Sequence, residues 1–138
     1  MIAYFDTSAI VKILVDEDGT AAARDHWARA SQVLSSLVMY PETVASLAAA
    51  RRSGRLDLRA YRSARDQFES MWAEMISVAC GLDTVLLAAD LAESDGLRGC
   101  DAIHLASALA VGLSELVFVA WDRDLSTAAR RNGLAVTA

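Results

Sequence analysis

Apolar residues fall along this chain in two patterns: short unbroken runs, and longer stretches with an apolar residue every three or four positions. The first pattern suits strands buried on both faces and the second suits helices. "IAYF" (2–5) is a run of the first kind, closed by Asp6. "VLSSLV" (33–38), "ISVA" (76–79), "LVFVAW" (116–121) and "LAVT" (134–137) read the same way. "TSAIVKILV" has helical spacing directly after Asp6. Asp18 or Thr20 is expected to cap an alanine-rich helix running to about Ala30. "YPETVASLAAARRSG" opens with Pro41 and Glu42 in a first turn and stops at Gly54. From Asp57 to Met75 the spacing of Leu58, Tyr61, Phe68, Trp72 and Met75 predicts an amphipathic helix. Asp83 is expected to cap a helix to about Glu93, and "LRGCDAIHLASAL" (97–109) predicts another. A last helix follows Asp122 and stops at Asn132 and Gly133.

Short apolar strands alternating with helices predict an α/β layer fold around a mostly parallel sheet of about four or five strands. Ligand sites in such sheets lie beyond the carboxyl ends of the strands. Four acids stand at such places. Asp6 ends the first strand, Glu42 opens the helix after the second, Asp101 lies at a helix head, and Asp122 ends a late strand. Any one of them alone reads as a helix-start acid, worth roughly 0.5–2 kcal/mol there. Four on one edge would repel each other, and a hard cation such as Mg²⁺ or Mn²⁺, which takes oxygen ligands, removes the conflict.

At 138 residues, with 54% hydrophobic and 22% charged, the chain suits one domain with a single core. No apolar run approaches the roughly 18 residues of a membrane span, and "IAYFD" does not resemble a signal peptide. Cys80 and Cys100 form no disulfide framework or zinc spacing and read as reduced core thiols of a cytoplasmic protein. A net charge of −5 argues against a simple electrostatic binder of nucleic acid, but not against an enzyme whose acidic pocket holds divalent ions.

"DTSAIVK" (6–12), "PE" (41–42), "DAIHLASAL" (101–109) and "WDRDL" (121–125) resemble, in order and spacing, the signatures of PIN-domain ribonucleases, above all the VapC-type toxins. The resemblance spans nearly the whole chain and implies a three-layer α/β/α sandwich forming a single PIN domain over residues 1–138. It implies Mg²⁺-dependent hydrolysis of RNA, with Mn²⁺ as a substitute, and a metal held by Asp6, Glu42, Asp101 and Asp122. It also implies a VapB-like antitoxin partner and a homodimer. Asp124 competes with Asp122 for the fourth place. Cys100 stands where relatives often carry an aromatic residue before the third acid. Thr7 and Ser8 are candidate hydroxyl donors to an acid or a phosphate, or caps of the first helix. His104 is expected to be packed or hydrogen-bonded rather than to hold metal. Arg51, Arg52 and Arg55 begin an arginine cluster that reads either as a solvated face or as a contact for RNA or a partner.

Two other readings remain at this point: a PIN nuclease of RNA processing without an antitoxin, and a non-catalytic module that kept the fold. The presence of all four acids disfavours the second. A dinucleotide-binding site would need GxGxxG after a strand, and none occurs.

Overall fold

The computed structural model describes residues 1–137, and Ala138 lies outside them. The chain runs β1 (Ile2–Phe5), α1 (Thr7–Leu14), α2 (Thr20–Arg29), β2 (Gln32–Ser36), α3 (Met39–Arg52) and α4 (Leu58–Glu74). It continues as β3 (Ile76–Val78), α5 (Leu82–Asp95), α6 (Gly99–Val111), β4 (Leu116–Val119), α7 (Arg123–Arg131) and β5 (Ala135–Thr137). All strand pairs are parallel, in the order β3-β2-β1-β4-β5. β1 is central: Ala3 pairs with Val33 on one side and Val117 on the other.

The alternation of side chains along β1 divides the core in two. Ala3 and Phe5 enter a cluster with Ala9, Ile10, Ile13, Leu47, Phe68 and Met71 from α1, α3 and α4. Tyr4 points to the other face, where it packs with Leu105, Phe118, Leu125 and Ala129. Helices on both faces of a parallel sheet give the expected α/β/α layering. α6 can lie against the sheet because Ala102, Ala106, Ser107 and Ala108 are small and buried.

Several local expectations are corrected. Neither Asp18 nor Thr20 caps α2. Gly19 takes the cap position with φ +96°, and Thr20 turns its buried hydroxyl back onto the Lys12 carbonyl at 2.7 Å. Asp83 lies inside the first turn of α5, after Gly81. β2 ends at Ser36, because Leu37 and Val38 turn into α3. Ala120 and Trp121 lie beyond the end of β4. Leu58 is exposed, and the buried stripe of α4 is Ala64, Phe68 and Met71. The cysteines are not core thiols: Cys80 is half-buried and Cys100 exposed.

Gly19 has a second constraint beside its positive φ. A Cβ there would stand 2.7 Å from Trp121 Nε1. Gly19→Ala is therefore expected to cost about 1–3 kcal/mol, from backbone strain and displacement of the indole together. Urea unfolding measures it, and a loss below about 0.5 kcal/mol would show that the loop before α2 relaxes freely.

Candidate active site

The strand order reverses direction at β1: the chain moves outward through β2 and β3, then crosses to β4. In open α/β sheets the crevice beyond the carboxyl ends of the strands on either side of such a reversal is where ligands bind. Here it is a cleft of about 420 Å³. Asp6, Glu42, Asp101 and Asp122 all line it, with Thr7, Ser8, Lys12, Glu17, Arg98, His104 and Trp121 among their neighbours. Asp124 is not among the lining residues, and Arg51 and Arg52 are exposed at the end of α3, outside the cleft. Arg55 meets the cleft indirectly, through a 3.1 Å ion pair with Glu17.

Two of the acids are both helix caps and cleft residues. Asp6 Oδ1 accepts the Ala9 N–H at 3.0 Å and the Ser8 hydroxyl at 2.7 Å, which closes the first turn of α1. The same Ser8 oxygen accepts the Trp121 N–H at 2.9 Å and so ties β1's end to β4's. Asp122 Oδ1 accepts the Leu125 N–H at 2.8 Å and caps α7. Asp101 is the third residue of α6, behind Arg98 at the cap position, so it is a first-turn acid and not the cap.

Glu42 is oriented by a buried polar chain. The Ser36 N–H donates to Tyr4 Oη at 3.0 Å, and Tyr4 Oη is hydrogen-bonded in turn to His104 Nδ1, also at 3.0 Å. On the other side of the ring, His104 Nε2–H donates to the Glu42 carboxylate at Oε1, 2.7 Å away, beside the Thr7 hydroxyl at 2.9 Å. His104 is 1% exposed, packed and hydrogen-bonded as expected, and its partner in the cleft is a carboxylate. Burial opposes ionisation of Glu42. The hydrogen bond and electrostatic pull of His104, helped by Thr7 and Arg98, outweigh it and hold the carboxyl below its ordinary range. Burial dominates at Asp6, which is 3% exposed, and lifts its carboxyl to about 6 against the pull of His104, Ser8 and Ala9.

The donors suit a hard cation: five carboxylates and three hydroxyls, with no thiolate among the lining residues. Asp6 and Glu42 each place their hydrogen bonds on a single oxygen, which leaves the other outside those bonds. The carboxylates are not drawn together into a finished ligand set. Among the described residues no three His, Cys, Asp or Glu side chains are grouped closely enough to hold an ion. The sequence reading missed Glu17, Lys12 and Arg98 as cleft residues. Arg98 had one readable signal, its position three residues before Asp101 on a helix start.

A raised carboxyl makes the cleft pH-sensitive. Folded Asp6 keeps its proton up to about pH 6, whereas its ordinary value is 3.8. The folded state therefore binds more protons between those values, and stability falls as pH rises through that window, by up to about 3 kcal/mol. Asp6→Asn keeps the cap acceptor and lacks the charge. In EDTA it is expected to be more stable than the parent at pH 7, with the gap closing towards pH 4. Urea unfolding across this range checks it, and a gap independent of pH would contradict the assigned cause.

Residues 3–131 match the family model described as PIN domain. The chain is 42% identical to Ribonuclease VapC45 of Mycobacterium tuberculosis over 135 residues, covering 98% of this chain and 94% of that protein. Its fold resembles the crystal structure of Mycobacterium tuberculosis VapC20, described as a sarcin-ricin loop cleaving toxin, with TM-score 0.69 and 22% identity. That likeness covers 91% of this chain and 94% of the other. It also resembles VapBC2 from Rickettsia felis, solved bound to a DNA fragment from their promoter, with TM-score 0.66 and 15% identity over 99% of this chain and 98% of that one. The matched family, the close relative and the parallel sheet with its acidic cleft agree, and the chain belongs to the PIN-domain family as a VapC-type member.

Proposed function

We propose that this chain is a Mg²⁺-dependent endoribonuclease, the toxin of a toxin–antitoxin pair acting in the cytoplasm, with the whole chain forming one PIN domain. The observation that carries this reading is the meeting of Asp6, Glu42, Asp101 and Asp122 at the reversal point of the sheet, in a chain 42% identical to a protein named a ribonuclease. Asp6, Glu42, Asp101 and Asp122 would hold Mg²⁺, and Mn²⁺ would serve in its place. When bound, the ion supplies an activated water and neutralises charge on the phosphate oxygens. The chain's own residues do the positioning. Asp6 and Asp122 are fixed by the helix turns they cap, and Glu42 is aimed by His104 and Thr7. Asp122 is favoured over Asp124 because Asp122 lines the cleft.

An active ribonuclease of this kind requires restraint in the cell. The proposed partner is a VapB-like antitoxin whose basic segment enters the cleft, steered by the chain's net charge of −5. The toxin is further proposed to form a homodimer through α5, where Leu82, Val85 and Leu86 stand exposed at helical spacing, Leu82 at 72%.

Purified chain freed of any partner is expected to cut cellular RNA in Mg²⁺ or Mn²⁺, and EDTA should stop it. Asp6→Asn, Asp101→Asn and Asp122→Asn should each lower cleavage by roughly a hundredfold or more, with Asp124→Asn near the parent. Sequencing RNA 5′ ends after brief induction measures this in cells. Undiminished cutting in EDTA would remove the metal from the mechanism. Expression of the chain alone should arrest growth, and co-expression of the antitoxin should restore it. A chain harmless at high expression with intact cleavage would point instead to RNA processing.

Leu86→Glu is expected to shift the chain towards monomer in sedimentation while leaving the unfolding free energy of the monomer within about 0.5 kcal/mol of the parent's. An unchanged mass would place the dimer elsewhere.

A further inference from the structure

An RNA backbone entering this cleft meets five carboxylates: Asp6, Glu17, Glu42, Asp101 and Asp122. Two lysine or arginine side chains line it among the described residues, and they are held differently. Lys12 is 20% exposed and 3.3 Å from Glu17, which Arg55 also engages. Arg98 stands at the cap position of α6 with its side chain 82% exposed. Its Nε lies 3.1 Å from Asp101 Oδ2 and its Nη2 4.0 Å from Asp122 Oδ2. The guanidinium thus leans on the two acids assigned above to the cation. A hard cation and a guanidinium compete for such oxygens, and a guanidinium displaced from them presents a planar fork suited to phosphate.

We propose that Arg98 is the phosphate-positioning residue of the cleft, bridging Asp101 and Asp122 in the metal-free chain and holding an RNA backbone phosphate once a cation takes those carboxylates. The proposal rests on the metal-site reading given under Proposed function. It accounts for an exposed arginine whose partners are both cleft acids. It also places one positive fork at the mouth of a site otherwise hostile to phosphate. An exposed ion pair with no further role is the opposing reading, since such pairs contribute little by themselves.

The test uses the full chain with Arg98→Gln, which keeps reach and loses charge, and Arg98→Lys, which keeps charge and loses the fork. Calorimetric titration with Mn²⁺ alone is expected to show Arg98→Gln binding about two- to fivefold tighter than the parent, because a competitor has gone. Binding of a short single-stranded oligouridylate is then measured in Ca²⁺ over a series of salt concentrations. Loss of one phosphate contact should shrink the slope of log K against log salt by about 0.7 in Arg98→Gln, and Arg98→Lys should restore it. In EDTA the slopes of Arg98→Gln and parent should coincide. Parental Mn²⁺ affinity in Arg98→Gln, or a parental slope in Ca²⁺, overturns the proposal. Asp101→Asn separates the two levels. It should lose Mn²⁺ affinity, and if it binds Mn²⁺ like the parent, the acid-site reading itself has failed and the competition falls with it.

Discussion

The site depends on the parallel pairing of β1 with β4. β1 is hydrogen-bonded on both edges, to β2 and to β4, and all three run the same way. Their carboxyl ends therefore open on one side, and the residues just past them, Asp6 and Asp122, face the same crevice although 116 positions separate them in sequence. A parallel sheet buried on both faces cannot shift register without moving every side chain to the wrong layer. The geometry of the cleft is held by the same burial that holds the fold.

Around that edge the polar groups do two jobs. Asp6 and Asp122 satisfy the free N–H groups of α1 and α7, so the helices are begun by the residues that shape the cleft. Ser8 accepts from Trp121 while donating to Asp6 and links the two strand ends. The chain from Ser36 through Tyr4 and His104 to Glu42 crosses the core from β2 to α3 by way of α6. Buried networks of this kind are costly when half-satisfied, and this one orients a carboxylate that would otherwise turn freely.

The cleft gathers five carboxylates, and each meets a different local partner or environment. Burial makes Asp6 reluctant to ionise, while Glu42 remains ionised through His104. Glu17 is neutralised by Lys12 and Arg55, and Asp101 and Asp122 share Arg98. Each acid has found a local answer to the charge of its neighbours.

What the sequence by itself determined was local. Apolar runs and helical spacing are properties of neighbouring residues, so the type and order of the elements were legible, as was the position of each acid beside a strand end or helix start. The motifs around Asp6 and Asp101 carried the family resemblance, because a turn and the helix after it are encoded within a few residues. The tertiary structure alone decided what depends on distant contacts. Trp121 packs so close to Gly19 that no Cβ fits there, and no spacing around Asp18 or Thr20 signals that. Leu58 and Cys100 are apolar types left at the surface because no neighbouring element covers them. Glu17 lines the cleft, where Lys12 of α1 and Arg55 of the loop after α3 both engage it. His104 reaches Glu42 across 62 positions of sequence. Local periodicity records which face a residue takes, and only the closing of the sheet determines which other faces it meets.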